Sequence, residues 1–489
     1  MGMAIRFNGF AKMSVLCGLT FACATGNAYP GDDGEGMLEL RECPLLPKET
    51  KAQKDARMAW WAEARFGMFI HFGLYSTLAR HEWVQKYEKI KAEDYESRYM
   101  KRFNPDRYNA REWVARAKAA GMKYIVLTTK HHEGFCMWDT ETTNFKITKT
   151  AFGRDVVREY VDACREAGMR VGFYYSIIDW HHPEFRIDKI HPLSNIMKKE
   201  DIAKLNAKRD MAKYRDCMMR QVRELLTEYG KIDILFFDFT HPGYHQQGKN
   251  GREDYYSEEL LALTRKLQPG IIVNDRLGLK DVVGGWDMKT PEQVIVPKCP
   301  TFNGEEIYWE TCQTFSGSWG YYRDEETWKS PRQLIGILID SVSKKGNLLL
   351  NVGPTARGRF DSRACDRLDA IGRWMDANDR SIYGCTAAPD ELLKQVPQGC
   401  KMTYNPKTNV LYLHILEWPI KVLPITFSGK VEYAQFLHDA SEVQIKQPRH
   451  VSGVLRTDVP ASLMLPVKMP DVEIPVVEMF LKPDFANGR

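Results

Sequence analysis

The chain has 489 residues, of which 44% are hydrophobic and 27% charged, and its formal net charge is +5. This composition is typical of globular proteins and argues against a disordered or membrane-embedded chain. The basic residues form no long block, so we expect no nucleic-acid partner. The length exceeds that of one ordinary hydrophobic core, which predicts a large domain and a smaller one.

The beginning of the chain has the pattern of an export signal. Arg6 and Lys12 precede an apolar run, residues 13–24, that is too short to span a bilayer comfortably, and small residues follow it. We therefore expect residues 1–28 to be a signal peptide, which places the mature protein in the bacterial periplasm, at the cell surface or outside the cell.

Two further expectations concern the same end of the chain. Residues 19–23 approximate a lipoprotein signal, so a lipid anchor at Cys23 is the alternative to free secretion. We expect no membrane-spanning segment. The polar residues 29–57, rich in glycine and aspartate near their start, are interpreted as a linker.

The cysteines indicate neither a metal site nor a disulfide framework. Of the 11 cysteines, two lie in the predicted signal, and the others are scattered singly without a CxxC pair. The sequence leaves open whether one or two disulfides form in an oxidising compartment.

The middle of the chain alternates helical patterns with short apolar strands. Amphipathic stripes predict helices at residues 109–120, 156–164, 201–229 and 334–342. Apolar runs predict strands at residues 65–73, 124–128, 170–176, 231–238, 271–276, 307–311 and 347–353. Seven or eight such parallel units close into a barrel, so we predict a TIM-like (β/α) barrel over residues 58–383.

The pattern changes near Tyr383. From there the chain has alternating segments such as Val410–Leu416, many prolines and no convincing amphipathic helix. This predicts a smaller antiparallel β-sandwich over residues 384–489.

Asp238 ends one of the apolar strands and is followed closely by a Pro-Gly turn. In a barrel this position is the C-terminal mouth, where a carboxylate can be partly desolvated and still meet a substrate. The alternatives, that Asp238 caps the next helix or pairs with an arginine, stay open at this point.

Other polar and aromatic side chains also follow the predicted strands. Structural residues would be distributed over both rims of a barrel, so a concentration at one rim favours a functional site. The side chains in question are His71, Glu82, Trp83, His131, His132, Arg276 and Trp319, together with Trp309 and Glu310.

These residues favour glycoside hydrolysis over other chemistries. His131 and His132 should point in opposite directions if their segment is extended, and no HxH or HExxH motif is present, so we expect no metal. No GxSxG nucleophile elbow occurs. Paired carboxyl groups with aromatic and neutral polar neighbours are what a glycosidase needs, one ionised and one protonated.

Nine motifs, in order from about Trp60 to Tyr383, resemble those of the α-L-fucosidases of glycoside hydrolase family 29. They are Met68-Phe-Ile-His-Phe-Gly73, His81-Glu-Trp83, Lys130-His-His-Glu-Gly-Phe135, Phe236-Phe-Asp238, Val273-Asn-Asp-Arg276, Trp286-Asp-Met-Lys-Thr-Pro-Glu292, Trp309-Glu-Thr-Cys312, Ser318-Trp-Gly-Tyr321 and Gly346-Asn-Leu-Leu-Leu-Asn-Val-Gly-Pro354. The C-terminal module also suits the β-sandwich of that family.

The resemblance implies a retaining exo-glycosidase that removes terminal α-L-fucose from glycans through a covalent fucosyl-enzyme intermediate, without a metal or organic cofactor. Asp238 matches the nucleophile and Glu292 the general acid/base. The matching fucose-binding positions are His71, Glu82, Trp83, His131, His132, Tyr174, Arg276 and Trp319. Phe236 replaces a tryptophan that many relatives carry.

Several alternatives stay open. Glu310, and less so Asp287, rival Glu292 as the acid/base, and the true one should lie about 5–5.5 Å from Asp238. Tyr175 rivals Tyr174, since only the facing of the strand decides between them. A barrel glycosidase for another sugar, such as galactose, and an inactive fucose-binding relative are the alternative functions. The sequence leaves the fucosyl linkage and the oligomeric state open.

Overall fold

The computed structural model describes residues 37–240, 243–447, 450–451, 454–455 and 460–483. The predicted signal peptide and the lipid-anchor residue Cys23 lie outside these residues and stay predictions. The predicted linker contains the start of the first helix, because Thr50 caps that helix through a capping box with Gln53.

The described residues contain helices and strands in the following order. The helices are α1 (Lys51–Ala64), α2 (Val84–Tyr87), α3 (Ala92–Tyr99), α4 (Ala110–Ala119), α5 (Val156–Glu166), α6 (Lys199–Asn206), α7 (Met211–Thr227), α8 (Arg252–Tyr255), α9 (Ser257–Leu267), α10 (Pro331–Val342), α11 (Ser362–Asn378) and α12 (Asp390–Leu393). The first nine strands are β1 (Phe66–Ile70), β2 (Tyr124–Lys130), β3 (Arg170–Ser176), β4 (Ile234–Asp238), β5 (Ile272–Val273), β6 (Thr301–Phe302), β7 (Glu305–Glu306), β8 (Glu310–Thr314) and β9 (Asn347–Val352). The others are β10 (Thr386–Ala387), β11 (Cys400–Asn405), β12 (Val410–Ile415), β13 (Val422–Ile425), β14 (Val431–Phe436), β15 (Ile445–Lys446), β16 (His450–Val451), β17 (Val454–Leu455), β18 (Ala461–Met464) and β19 (Val476–Leu481).

Seven strands form the parallel sheet that the alternating pattern predicts. Their order is β5-β4-β3-β2-β1-β9-β8, and every pairing in it is parallel. Apart from Arg170 at the start of β3, the residues of these strands are buried, which explains why most of the strands are continuous apolar runs rather than alternating ones; β8, Glu310–Thr314, is the polar exception. The TIM-like barrel is therefore confirmed.

An irregular segment, residues 287–293, lies between the two edge strands of this sheet. On one side Met288 bridges to Asn274, and on the other Lys289 bridges to Trp309 and Glu292 to Cys312. The segment completes the ring without a regular strand. It carries Asp287 at one end of the barrel and Glu292 at the other.

Three elements differ from the sequence prediction. The helix expected at 201–229 is two helices, α6 and α7, because Asp210 accepts a hydrogen bond from Ala212 and caps a new helix. The strand expected at 307–311 is β8, shifted toward the C-terminus. The strand expected at 271–276 is only the short β5, because the ring is completed beside it by the irregular segment.

The helices pack around the sheet with the predicted apolar stripes inward. In α5 the buried residues include Val157, Tyr160, Val161 and Cys164. The Tyr160 hydroxyl donates to the carbonyls of Ile125 and Gly172, so this helix is tied to two neighbouring strands.

Antiparallel sheets follow the barrel, as predicted. The larger has the order β10-β11-β12-β19-β14 and the smaller β13-β18-β15. Their facing side chains share one hydrophobic core, which contains Leu411 and Val477 from the larger sheet and Leu423 and Leu463 from the smaller. The Trp374 indole donates to the Ile474 carbonyl at 2.8 Å and joins this sandwich to the barrel.

The nine cysteines among the described residues are all free. In the same part of the chain, every helix is too short or too polar to cross a membrane.

Candidate active site

A cavity with an empty volume of about 420 Å³ opens at the C-terminal ends of the barrel strands. The eleven residues predicted to catalyse the reaction or to bind fucose all line it, whereas Trp309 and Glu310, which the sequence also indicated at this rim, do not. The full lining is Phe69, His71, Glu82, Trp83, His131, His132, Tyr174, Phe236, Asp238, Phe239, Arg276, Glu292, Cys312 and Trp319.

Three of the lining residues were not predicted from the sequence: Phe69, Phe239 and Cys312. Side chains two residues apart along a strand face the same side. Phe69 lies two residues before His71, so this rule would have predicted that it lines the cavity. Phe239 follows Asp238 directly. Cys312 looked like a core residue, which it also is.

Strand facing decides between the two adjacent tyrosines of β3. The Tyr174 hydroxyl donates to Asp238 Oδ2 at 2.7 Å, inside the cavity. The Tyr175 hydroxyl donates to Gln221 Oε1 at 2.6 Å, toward α7 on the outside of the sheet. Successive side chains of a strand point to opposite faces, so only one of the two can reach the site, and it is Tyr174.

Asp238 is held at the mouth of β4 by groups from three directions. Besides Tyr174, Arg276 Nη1 donates to Asp238 Oδ1 at 2.8 Å, and His132 Nε2 lies 3.9 Å from Oδ2. These contacts fix the orientation of a buried carboxylate and leave it facing the cavity. The arginine pairing that the sequence left open therefore exists, but within the cavity and together with Glu292.

Glu292 contacts the same nitrogen as Asp238. Its Oε2 lies 2.9 Å from Arg276 Nη1, so the nearest oxygens of the two carboxyl groups are no farther apart than these two contacts end to end, about 5.7 Å. This upper limit allows the separation of about 5–5.5 Å that is typical of retaining glycosidases and is shorter than the separation of about 6.5–9.5 Å in inverting ones. The two groups thus face one another across a sugar-sized space.

The pKa of Glu292 is raised above its ordinary value. Enclosure of the carboxyl group by the cavity wall is the main cause, and the nearby charge of Asp238 adds to it, while Arg276 opposes both. The side chain is still 41% exposed, so it lies at the rim of the cavity rather than on its floor. A raised pKa favours the protonated form that a general acid needs.

Arg276 is fixed by the segment that closes the barrel. Its Nε donates to Thr290 Oγ1 at 3.2 Å and its Nη2 to the Thr290 carbonyl at 3.1 Å. Thr290 in turn donates from its amide and hydroxyl to Asp275 Oδ1. The guanidinium that joins the two carboxyl groups therefore has little freedom to move.

The expectation that His131 and His132 point in opposite directions is wrong. The two residues lie in a turn closed by a hydrogen bond from Gly134 N to the His131 carbonyl, and their rings are 4.0 Å apart. Both therefore face the cavity. The prediction assumed an extended segment, but β2 ends at Lys130 and the two histidines follow it.

Two of the histidines are held as neutral rings. His71 Nδ1 lies 2.6 Å from Asn351 Oδ1, and His132 Nδ1 lies 2.8 Å from Ser176 Oγ. Burial lowers the pKa of both far below the ordinary value, and the neighbouring His131 lowers it further. A neutral imidazole offers one donor and one acceptor, which suits a hydroxyl group. Within the described ranges no cluster of three potential ligands that could hold a metal occurs.

Aromatic rings form an apolar wall on one side. Phe69 lies 5.2 Å from Phe236 and 6.0 Å from Trp319 between ring centroids, and Tyr174 stacks on Phe236 at 5.9 Å. This wall matches the apolar face of a sugar. Phe236 keeps the wall apolar where a tryptophan would add an N–H donor.

Two loops bring Glu82 and Trp319 together. Glu82 Oε2 accepts a hydrogen bond from Gly320 N at 2.8 Å, and Asn351 Nδ2 donates to the Trp319 carbonyl at 2.7 Å. The Trp319 loop packs directly on Gly353, where a Cβ atom would lie 2.5 Å from Tyr321 N. Glycine at 353 is therefore required for this loop to sit over the cavity.

The residue after each of the facing carboxylates has a positive φ: 99° at Phe239 and 56° at Gln293. Such conformations cost about 1–3 kcal/mol for residues other than glycine and are concentrated at functional sites. Gln293 is held by its amide, which donates to the Cys312 carbonyl, and by its side chain, which donates to Thr314 Oγ1.

The two rivals for the acid/base role lie elsewhere in the barrel. Glu310 begins β8, is completely buried and accepts a hydrogen bond from Tyr124 at the start of β2. Asp287 is bound by Arg57 and Arg265. Both belong to the N-terminal half of the barrel and neither is among the residues that line the cavity.

A (β/α) barrel with two facing carboxyl groups, neutral polar side chains and an apolar wall at its C-terminal rim is the architecture of a glycoside hydrolase. The comparisons with known proteins identify the family. The α-L-fucosidase family model matches residues 39–380. The chain belongs to the α-L-fucosidase family.

Individual relatives agree. The chain is 40% identical to α-L-fucosidase isoenzyme 1 from Paenibacillus thiaminolyticus, with a TM-score of 0.79 over 88% of this chain and 99% of that one. It is 30% identical to the plasma α-L-fucosidase of Homo sapiens over 75% of this chain and 78% of the relative. A Bacteroides thetaiotaomicron fucosidase, solved as a trapped covalent intermediate with 2-fluoro-fucosyl fluoride, has 25% identity and a TM-score of 0.73 over 92% of this chain and all of its own.

Proposed function

We propose that this protein is a retaining exo-α-L-fucosidase that releases terminal α-L-fucose from glycans by double displacement. The observation that carries the proposal is the sharing of Arg276 Nη1 by Asp238 and Glu292, which limits the distance between their nearest oxygens to about 5.7 Å, less than the separation of about 6.5–9.5 Å in inverting pairs. Membership of the α-L-fucosidase family indicates that the sugar is α-L-fucose.

In the first step the Asp238 carboxylate attacks the anomeric carbon, and Glu292 gives its proton to the glycosidic oxygen as the leaving group departs. In the second step Glu292, now a carboxylate, takes a proton from water, and the resulting hydroxide displaces Asp238 from the sugar. The raised pKa of Glu292 supports its acid role in the first step.

The remaining lining residues divide by chemistry. The neutral rings of His71 and His132, the buried Glu82 and the His131 ring are suited to the fucose hydroxyls. The aromatic wall of Phe69, Phe236 and Trp319 is suited to the C5 methyl group, which galactose lacks.

The proposal extends to the cellular location. The basic and apolar pattern of residues 1–28 supports export. Fusing residues 1–28 to a reporter enzyme that works only outside the bacterial cytoplasm would test this, and retention of the reporter in the cytoplasm would refute it.

A panel of aryl glycosides tests the activity. We expect release from the aryl α-L-fucoside and little from the matched galactoside. A 2-fluoro-fucosyl fluoride should add one fluorofucosyl group to the peptide that contains Asp238, which mass spectrometry would locate. Turnover of the galactoside alone would favour the other glycosidase, and binding of fucose without any turnover would favour an inactive fucose-binding relative.

A further inference from the structure

One side of the cavity rim carries positive charge that the hydrolytic reaction does not use. Trp83 and Phe239 line the cavity and are only partly buried, and their ring centroids are 5.8 Å apart. Lys86 Nζ lies 5.5 Å from the centroid of the Trp83 ring and Lys249 Nζ lies 5.7 Å from that of Phe239. Two ammonium groups therefore border the same pair of rim residues.

These lysines have no direct carboxylate partner in the part of the chain that the structure describes. The Lys86 ammonium donates instead to the Lys189 carbonyl at 3.2 Å. The acid that most attracts both lysines is Asp188, and its oxygens already accept hydrogen bonds from the amides of Ile190, His191 and Asn250. Positive charge is thus in excess at this rim.

Burial, and to a smaller extent repulsion from neighbouring lysines, lowers the pKa of both ammonium groups. The pKa of Lys86 is lowered to about 8, mainly by burial, and the positive charges of Lys249 and Lys189 contribute. The pKa of Lys249 is lowered by burial and by Lys189. A negative group placed between them would favour the charged form of both lysines.

Tyr244 lies between the lysines and the carboxyl group that is proposed to protonate the leaving oxygen. Tyr244, whose ring is 4.3 Å from Lys249 Nζ, is close enough to Asp238, Glu292 and Asp188 for all three to raise the pKa of its hydroxyl, together with burial. Tyr244 therefore connects the acid/base carboxyl with the lysines. A sugar attached to the oxygen that Glu292 protonates must lie outside the rim, near these groups.

An exposed aromatic face lies beside the same lysines. The Tyr87 ring stacks on Trp83 with centroids 6.1 Å apart and is 55% exposed. Aromatic faces bind the apolar faces of sugars, so this rim combines a surface for a sugar ring with charge for an anionic substituent.

We propose that Lys86 and Lys249 form a leaving-group subsite that selects fucosides whose neighbouring sugar carries an anionic group, a sulfate ester or a carboxylate. This inference rests on the proposed function and adds to it the class of glycan that is cleaved. The fucose pocket itself plays no part in this selection, because the lysines are not among the residues that line it.

The test compares kcat/KM for three fucosylated oligosaccharides that differ only in the leaving-group sugar: neutral, sulfated or carboxylated. For the wild type at low ionic strength we expect at least one anionic substrate to be preferred by about fivefold, which corresponds to the upper end, about 1 kcal/mol, of what a partly exposed charge contact contributes. The preference should shrink as salt is added, because screening acts over about 10 Å at 0.1 M. The sulfated and carboxylated substrates distinguish the two sources of charge.

The double variant Lys86→Gln/Lys249→Gln should lose the preference and still hydrolyse a neutral aryl α-L-fucoside at the wild-type rate. The matched control is Lys231→Gln/Lys266→Gln, which removes the same charge next to the N-terminal ends of β4 and β5 and should keep the preference. The inference is overturned if the wild type treats all three substrates alike, or if the first variant keeps the preference.

Failure of the proposed function gives a different result. A wild type that releases no fucose from the aryl fucoside refutes the hydrolase. The dissociation constants of the same three oligosaccharides, measured by calorimetry on the wild type and both variants, then decide the inference: tighter anionic binding lost only in Lys86→Gln/Lys249→Gln supports it, and equal binding refutes it.

Discussion

The two ends of the barrel both hold buried acids and arginines, but in opposite proportions. At the C-terminal rim Asp238 and Glu292 share one guanidinium, that of Arg276. In the N-terminal half, Asp287 is bound by two guanidiniums, those of Arg57 and Arg265, and Arg57 also binds the more exposed Glu49.

The difference determines which acid can hold a proton. Two arginines lower the pKa of Asp287 to about 2, in spite of burial, so it is a permanent anion. Glu292 is enclosed by the cavity wall and shares its one arginine with a second acid, so its pKa is raised. Asp287 therefore belongs to a structural ion pair, and Glu292 can act as a proton donor.

The largest effect should come from the nucleophile. Asp238→Ala removes the group that forms the intermediate, and kcat on an aryl α-L-fucoside should fall about 10,000-fold or more. The melting temperature should stay close to that of the wild type, because the substitution also relieves crowding of two acids. A variant that keeps more than a hundredth of the activity would contradict the assignment.

The second-largest effect on activity should distinguish the role of Glu292 from that of Asp238. Glu292→Ala should lower kcat about 1,000-fold on oligosaccharides, whose leaving groups need a proton, and much less on aryl fucosides with acidic phenols. Added azide should restore turnover, because a small anion can enter the space that the side chain vacates and attack the intermediate. Equal losses on all substrates without rescue would exclude Glu292 as the acid/base.

The acid at the opposite end should affect stability. Asp287→Asn leaves Arg57 and Arg265 without their shared anion and should lower the free energy of unfolding by about 3 kcal/mol, measured in urea. Because the folded pKa of Asp287 is about 2 and the unfolded value is near ~3.9, its contribution is present above about pH 4 and is lost between about pH 4 and pH 2.

The control for Asp287→Asn is the pH dependence of the substituted protein, which should be flatter in that acid window. An unchanged unfolding curve at pH 7 would show that the ion pair at this end of the barrel has no net stabilising effect.

The smallest effect should be an increase in the free energy of unfolding. Burial raises the pKa of Glu310 to about 8, so the folded protein holds a proton there that the unfolded chain releases at neutral pH. Stability from this group is present below about pH 4 and falls as the pH rises toward 8. Glu310→Gln removes only part of that cost, because a buried amide has a desolvation cost of its own, and should raise the free energy of unfolding at pH 7 by about 1–2 kcal/mol.

Activity provides the second readout for Glu310→Gln. The variant should cleave oligosaccharides and aryl fucosides at the same ratio as the wild type. A loss confined to oligosaccharides would transfer the acid/base role from Glu292 to Glu310.

Most strands and the position of Asp238 could be predicted from local pattern. Short apolar runs such as β3 and β9 match their predicted bounds to within one residue, because buried parallel strands have a continuous apolar sequence. The segment 287–293 could not, since it pairs through isolated bridges and contains a proline. Strand patterns describe regular pairing, and this part of the ring has none.

The sequence by itself determined the alternation of helices and strands, the change to an antiparallel sandwich and a carboxylate at the end of β4, because each follows from residues that are neighbours in the chain. Only the tertiary structure decided that Glu292 faces Asp238, that His131 and His132 both face the cavity and that Lys86 and Lys249 border the same rim. Such proximities arise when the barrel closes and distant loops pack on one rim, and no local pattern encodes the distance between side chains that the fold brings together.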